Sequence, residues 1–205
     1  FQHVAPSGQF RFAYADGTVA PTVSSADAVV YKNTNPKYVG GFDNTIRFKD
    51  FELNALFTYQ LGFHIYFGTN AGLRDQRFWN NSTDVYKTIW RQPGDVSDYA
   101  KPEVNDNYSN GSANPISDFI ENGDYLRLKN LVIGYTFNTK NWSKKIGISQ
   151  LRLYATATNL FCITGYSGMD PEINSRADSS NTISGIDKNT APLTRTYSFG
   201  VNLSF

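Results

Sequence analysis

The sequence predicts an all-β protein, built from about five or six antiparallel strands of a transmembrane barrel with long loops at one end and short turns at the other. Three observations predict it. Phe 15, Tyr 13 and Trp 3 bring the aromatics to 15% of 205 residues, while charged residues make up only 18%, against about 25% in ordinary soluble domains. Apolar residues recur at every second position over several long stretches, the period of a strand with two unlike faces. The connections between those stretches alternate long and short, as they do in outer-membrane barrels and as a soluble sandwich has no reason to do.

Taken in order, QFRFAY at 9–14 is the candidate sixth strand. At 42–48, Phe42, Asn44, Ile46 and Phe48 alternate with Asp43, Thr45 and Arg47, and Lys49-Asp50 is a tight hairpin connection. FELNALFTYQLGFHIYF at 51–67 puts Phe51, Leu53, Ala55, Phe57, Tyr59, Leu61, Phe63, Ile65 and Phe67 on one face. As one strand it is far longer than the 9–11 residues needed to cross a bilayer, so it is expected to project beyond the membrane. In YLRLKNLVIGYTF, Leu131, Ile133, Tyr135 and Phe137 share a face, with Lys129 and Arg127 upstream on the same parity. In LRLYATATNLFCI the series is Leu151, Leu153, Ala155, Ala157, broken at Asn159 by a bulge or by exit from the bilayer. The chain closes on RTYSFGVNLSF, where Tyr197, Phe199, Val201, Leu203 and Phe205 fall on one face.

The charges act as rulers. On the apolar parity the first charges are Lys129, eight positions before Phe137, and Arg195, ten before Phe205. A Lys or Arg facing lipid costs about 2–4 kcal/mol at mid-membrane but only about 0–1 near the interface, so both fit a bilayer boundary. If the last strand ends in the periplasm, the connections at about 164–194 and 68–122 are extracellular, while that at about 138–150 and Lys49-Asp50 are periplasmic. Five or six strands leave open edges, which lipid cannot satisfy, so further strands of a larger barrel are expected beside them. The start, FQHVAPSG, has no Met and no apolar signal core, and reads as a cut end.

Composition sets other bounds. A net charge of +1 offers no polyanion surface, so nucleic acid is not expected as a partner. The single cysteine, Cys162, rules out a disulfide framework within the chain. Mean hydropathy is −0.42, and no apolar run reaches the length of a spanning helix; barrel strands dilute hydropathy with inward polar residues, so this leaves a membrane barrel open.

Several stretches together resemble the C-terminal end of the SusC/RagA-type TonB-dependent outer-membrane transporters. They are Tyr38-Val39-Gly40-Gly41-Phe42, Phe51-Glu52-Leu53, Gly123-Asp124-Tyr125-Leu126-Arg127-Leu128-Lys129-Asn130, Ile133-Gly134-Tyr135, Leu151-Arg152-Leu153-Tyr154, Asn159-Leu160-Phe161, Gly168-Met169-Asp170-Pro171-Glu172 and the terminal Phe205. They occur in family order over most of 38–205. The resemblance implies that residues 1–205 are the C-terminal part of a barrel of about 22 strands in the Gram-negative outer membrane, whose plug domain and earlier strands lie outside this chain. It further implies active import of oligomeric nutrients, glycan or peptide fragments, with a SusD-like surface lipoprotein as lid and a TonB complex engaged through the missing N-terminal part. Outer-membrane lipid and the remaining barrel strands complete the expected partners. Where many relatives resemble an acidic DxNGDGxIxxxD loop, this chain reads AYADGTVAPTVSSADA with only Asp16 and Asp27, too few carboxylates for a hard cation.

No catalytic set is expected. His3 and His64 are the only histidines, too few for HExxH. Gly165-Tyr166-Ser167-Gly168 is one residue short of a GxSxG elbow, and Asp170 and Glu172, although placed like an acid–base pair, are explained by the family motif as structural. Neither cofactor nor metal is expected. The candidate contacts for substrate or lid are Trp79, Tyr86, Trp90 and Tyr99 on the long loop, amphipathic rings that stack on sugars or anchor a partner, set against a structural role packing that loop. Tyr197, Phe199, Val201, Leu203 and Phe205 are the expected barrel-insertion signal. The alternative from another class is a soluble all-β carbohydrate-binding module.

Overall fold

The computed structural model describes residues 2–77, 81–102, 111–137, 147–172 and 185–205. In chain order the strands are β1 Gln2–Val4, β2 Phe10–Ala13, β3 Val19–Ala20, β4 Tyr38–Phe48, β5 Phe51–Leu61, β6 His64–Phe67, β7 Ile120–Asn122, β8 Tyr125–Phe137, β9 Gln150–Thr164, β10 Ile186–Asp187 and β11 Thr196–Ser204. Two short helices, α1 Gly68–Arg74 and α2 Thr83–Thr88, lie in the longest connection. The chain divides into two compact units.

One unit is a five-stranded sheet in the order β11-β9-β8-β5-β4, every neighbouring pair antiparallel. The β4–β5 hairpin turns at Lys49-Asp50, with Phe48 opposite Phe51 and Lys49 at φ 53° in the left-handed region. The main chain of Thr136 ties this turn down by donating to the Asp50 carbonyl at 2.9 Å. The sheet is open: β4 and β11 each have one unpaired edge among the described residues.

The other unit gathers the remaining described segments between 2 and 35, 64 and 122, and 185 and 190. Its strands form two small sheets, β1-β2-β3 and β10-β6-β7. Ile65 and Phe119 are fully buried at its centre, and Tyr66 meets Phe119 edge-on at 6.2 Å. QFRFAY therefore adds no sixth strand to the large sheet, because Phe10–Ala13 pairs with β1 and β3 instead.

The expected 51–67 strand is two strands. Gly62 takes φ 78°, a conformation open to glycine at little cost, and the Asp124 carboxylate accepts the main-chain N–H groups of Gly62 and Phe63. Gly123 donates back to the Phe63 carbonyl at 3.0 Å. These bonds stop the ladder at Leu61, and His64–Phe67 joins the other unit's sheet. The apolar alternation continues through the break because Phe63 and Ile65 are buried, 5% and 1% exposed, in their own cores.

The second correction concerns β8. Leu56 pairs with Asn130 but Phe57 pairs with Leu128, so Lys129 is an extra residue relative to β5. A bulge of this kind exchanges the faces of everything beyond it. Leu128 and Leu126 therefore continue the apolar face, and Arg127, expected on it, lies on the polar face opposite Thr58 and Cys162. Lys129 is the bulged residue and marks no position on the apolar parity. On β9 the break at Asn159 is also a bulge: the residue takes φ 52° and the strand runs on to Thr164.

Candidate functional site

The functional feature of the large sheet is the contrast between its faces. On one face the register lines up Phe48, Phe51, Tyr135, Leu153 and Val201 across all five strands, then Ile46, Leu53, Ile133, Ala155 and Phe199, and then Asn44, Ala55, Leu131, Ala157 and Tyr197. Phe42 stacks on Phe57 at 4.8 Å, and Phe51 meets Tyr135 at 4.6 Å. Among the described residues of this unit no second layer covers these side chains: Phe199 and Phe205 are 85% and 86% exposed. Burying a large apolar side chain is worth about 1.5–3 kcal/mol, so a face of this extent is stable only against an apolar medium. Tyr197, Phe199, Val201 and Leu203 form its last column.

The opposite face is polar and pairs its own charges. Glu52 on β5 accepts from Arg47 Nε on β4 at 2.9 Å and from Arg152 Nη2 on β9 at 2.8 Å. Arg152 reaches across β8 because residue 134 is glycine; a Cβ there would stand 2.8 Å from its Nη2. Asn54 donates to Asp43 at 2.6 Å and to Thr45 at 2.9 Å. Towards the other end of β8, Arg127 is 3% exposed and its Nη2 donates to Asp170 Oδ1. Its Nε lies 2.8 Å from Glu172 Oε2 as an ion pair rather than an aligned hydrogen bond. Lys129 Nζ meets the same Glu172 at 3.1 Å. Asp170 also accepts the main-chain N–H groups of Glu172 (2.9 Å) and Leu193 (3.2 Å). Both carboxylates of the Asp-Pro-Glu motif are thus held by cations, Asp170 by Arg127 and Glu172 by Arg127 and Lys129. This cluster was only partly legible in the sequence: the motif stood out, but the partners lie 43 residues away.

In the other unit, Trp90 and Tyr99 are buried, and the Trp90 main chain donates to the Tyr99 carbonyl at 3.1 Å. Gly8 lies against the Trp90 ring, where a Cβ would approach to 2.7 Å. The Arg74 guanidinium sits over the rings of Tyr99 and Phe119, at 5.2 and 5.5 Å. Tyr86 on α2 is 76% exposed, with Arg91 over its ring at 5.5 Å. Trp79 lies outside the described residues. Asp75 is buried and takes a two-pronged contact from Arg77, at 2.9 and 2.6 Å, and a hydrogen bond from Ser112. Burial pushes the Asp75 carboxyl up, but these bonds and the Arg77 charge outweigh it and hold it below the ordinary value. Burial pushes the Asp118 carboxyl above its ordinary value against the nearby Arg74 charge. No group of three or more metal-binding side chains occurs among the described residues.

No family model matches the chain. The TonB-dependent receptor P3 of Formosa agariphila is 32% identical over 203 residues, 98% of this chain and 19% of that receptor. The TonB-dependent receptor SusC of Bacteroides thetaiotaomicron is 28% identical over 196 residues, 90% of this chain and 17% of that receptor. The chain thus spans less than a fifth of these relatives' length. Among solved structures, the RagAB peptide importer in its open-open state aligns with a TM-score of 0.79 at 22% identity, covering 99% of this chain and 21% of that one. Its closed-closed state gives 0.78 at 23% identity. The fold is that of the importer's barrel, and the sheet is open because only part of such a barrel is present. With its two-faced sheet and these relatives, the chain belongs to the SusC/RagA-type TonB-dependent receptors and corresponds to their C-terminal barrel portion.

Proposed function

We propose that residues 1–205 supply the C-terminal barrel wall and external loops of an outer-membrane, TonB-dependent active importer of oligomeric nutrients, glycan or peptide fragments. The observation that carries this reading is the sheet with one uncovered apolar face and one charge-paired polar face, as a wall between lipid and an aqueous passage requires. The plug, the earlier strands and the segment that engages a TonB complex belong to other parts of the receptor, and a SusD-like surface lipoprotein closes it from outside. Tyr86, exposed on α2, is the loop ring proposed to touch cargo or lid; Trp90 and Tyr99, buried, support the loop from within.

Tyr197, Phe199, Val201, Leu203 and Phe205 are proposed to guide insertion, because an alternating aromatic strand presents its apolar column to the assembly machinery. Expression of the full receptor, with and without Phe205, tests this. The intact receptor is expected in the outer-membrane fraction as a heat-modifiable species that needs detergent for extraction, and the shortened one at lower yield. Extraction of the full receptor without detergent would sink the assignment, while equal yields would sink the insertion role alone. An uptake measurement with peptide and glycan oligomers, in cells with and without the lipoprotein, then separates the two cargo classes.

A further inference from the structure

The stretch that follows β9 does not leave the sheet directly. Asp170 and Glu172 come back to Arg127, which the bulge has placed on the polar face between Thr58 and Cys162. The stretch is pinned at several points. Thr164 Oγ1 donates to the Asp124 carbonyl at 2.8 Å, and the Tyr166 main chain donates to Thr164 Oγ1 at 3.1 Å. The Tyr166 ring is buried against Gly168, which has no side chain to hold it off. Asp170 then joins three partners, Arg127 and the main chains of Glu172 and Leu193, so that one carboxylate ties the outgoing chain to the returning one. Of these groups, Arg127 and Asp170 are 3% and 4% exposed, a degree of burial that charged side chains reach only when paired.

We infer that residues 166–172 form a fixed shelf over the polar face of β8, pinned by Arg127, and that this shelf narrows the passage and sets the bulk of the cargo that fits. The inference rests on the proposed reading of the polar face as the wall of that passage. A loop held only by solvent contacts would sway and exclude nothing. This one is fastened by charge-assisted bonds in a buried setting, which are stronger than neutral ones. Arg127, Asp170 and Glu172 are in these terms positioning residues: they set the shelf and need not touch cargo.

Cys162 is a built-in reporter, since it pairs with Arg127 in the register and lies on the same face. The test labels Cys162 in the full receptor on intact cells, with the Cys162→Ser receptor as background. The reagents are a small charged methanethiosulfonate and a bulky polyethylene-glycol maleimide. The small reagent is expected to react in the native receptor and the bulky one at least about tenfold more slowly than in Asp170→Asn or Glu172→Gln, the order of effect expected for loss of one charged hydrogen bond. Heat-modifiable migration of each variant checks that the barrel has formed. Should a variant fail to assemble, the native receptor still decides: a bulky reagent that labels it as readily as the small one overturns the shelf. Equal bulky-reagent rates in the native receptor and in assembled variants overturn the role of Asp170 and Glu172. Labelling of Cys162 only by a lipid-soluble maleimide overturns instead the reading of the polar face on which the inference stands.

Discussion

Leu131 and Val132 are neighbours in β8 on opposite faces, which makes them a matched pair for testing which face meets lipid. Leu131 sits in the row with Ala55 and Ala157, and Val132 pairs with Asn54 and Thr156. The apolar column of β8 runs from Leu126 to Phe137, roughly 36 Å of strand, which at a tilt of 35–45° spans about 28 Å, close to the ~25 Å apolar band of such barrels. Leu131 is near the middle of that column. An arginine there is expected to cost about 2–4 kcal/mol, a shift of about 30- to 900-fold in the folding equilibrium at 1.36 kcal/mol per tenfold. Val132→Arg points instead into the polar side and is expected to cost less than about 1 kcal/mol. Denaturant titration of the full receptor in lipid vesicles, read by the heat-modifiable band, measures both. Equal losses, or a larger loss at 132, would refute the assignment of faces.

Three further outcomes follow from the same geometry. Replacing Arg127 by Leu strands the buried Asp170 and is expected to cost about 3–5 kcal/mol; adding Asp170→Leu should return much of it, and a double variant no better than the single one would dissociate the pair. The Asp75 carboxyl has a folded value below the ordinary 3.8, so its contribution is complete above the unfolded value and disappears as pH falls through the folded one. Asp118, with a raised value, works in the opposite sense, since its proton uptake favours the folded form as pH falls. The loss of protease resistance of the loop unit as pH falls below the ordinary carboxyl value should therefore be shallower in Asp75→Asn and remain in Asp118→Asn. Finally, Trp90→Ala empties a buried position at a cost of about 3–5 kcal/mol and should make the loop unit sensitive to protease. Tyr86→Ala should leave protease resistance intact and weaken cargo or lid affinity.

The sequence reveals the large sheet well because its strands are long and one face is apolar; the hairpin at Lys49-Asp50 and the column ending in Leu203 are read directly from alternation. It hides what breaks that alternation. Leu61, Phe63 and Ile65 keep the same period across the break at Gly62, because a core and a membrane both reward apolar side chains. The glycine itself was the one available signal. Lys129 and Arg127 on an apparently apolar parity were the signature of a bulge, yet a bilayer boundary explains the same two charges. The partnership of Arg127 with Asp170 is set by how the connection folds back, which no local pattern encodes. The loop rings were visible as a group, but whether a ring faces inward, as Trp90 does, or outward, as Tyr86 does, depends on contacts with distant segments such as Gly8.

The extra residue in β8 has a bearing on protein engineering. Anyone splicing the Tyr125–Leu128 end of this strand into another receptor by matching hydrophobic positions would be tempted to trim Lys129 or to add a residue for symmetry. Trimming it keeps Leu126 and Leu128 on their side and removes only a kink. A single amino acid inserted beside it also restores plain alternation and leaves Arg127 on the polar side, but slides Arg127 from Thr58 to Gln60 along β5, so that graft boundaries here are better drawn by counting register than by aligning similarity.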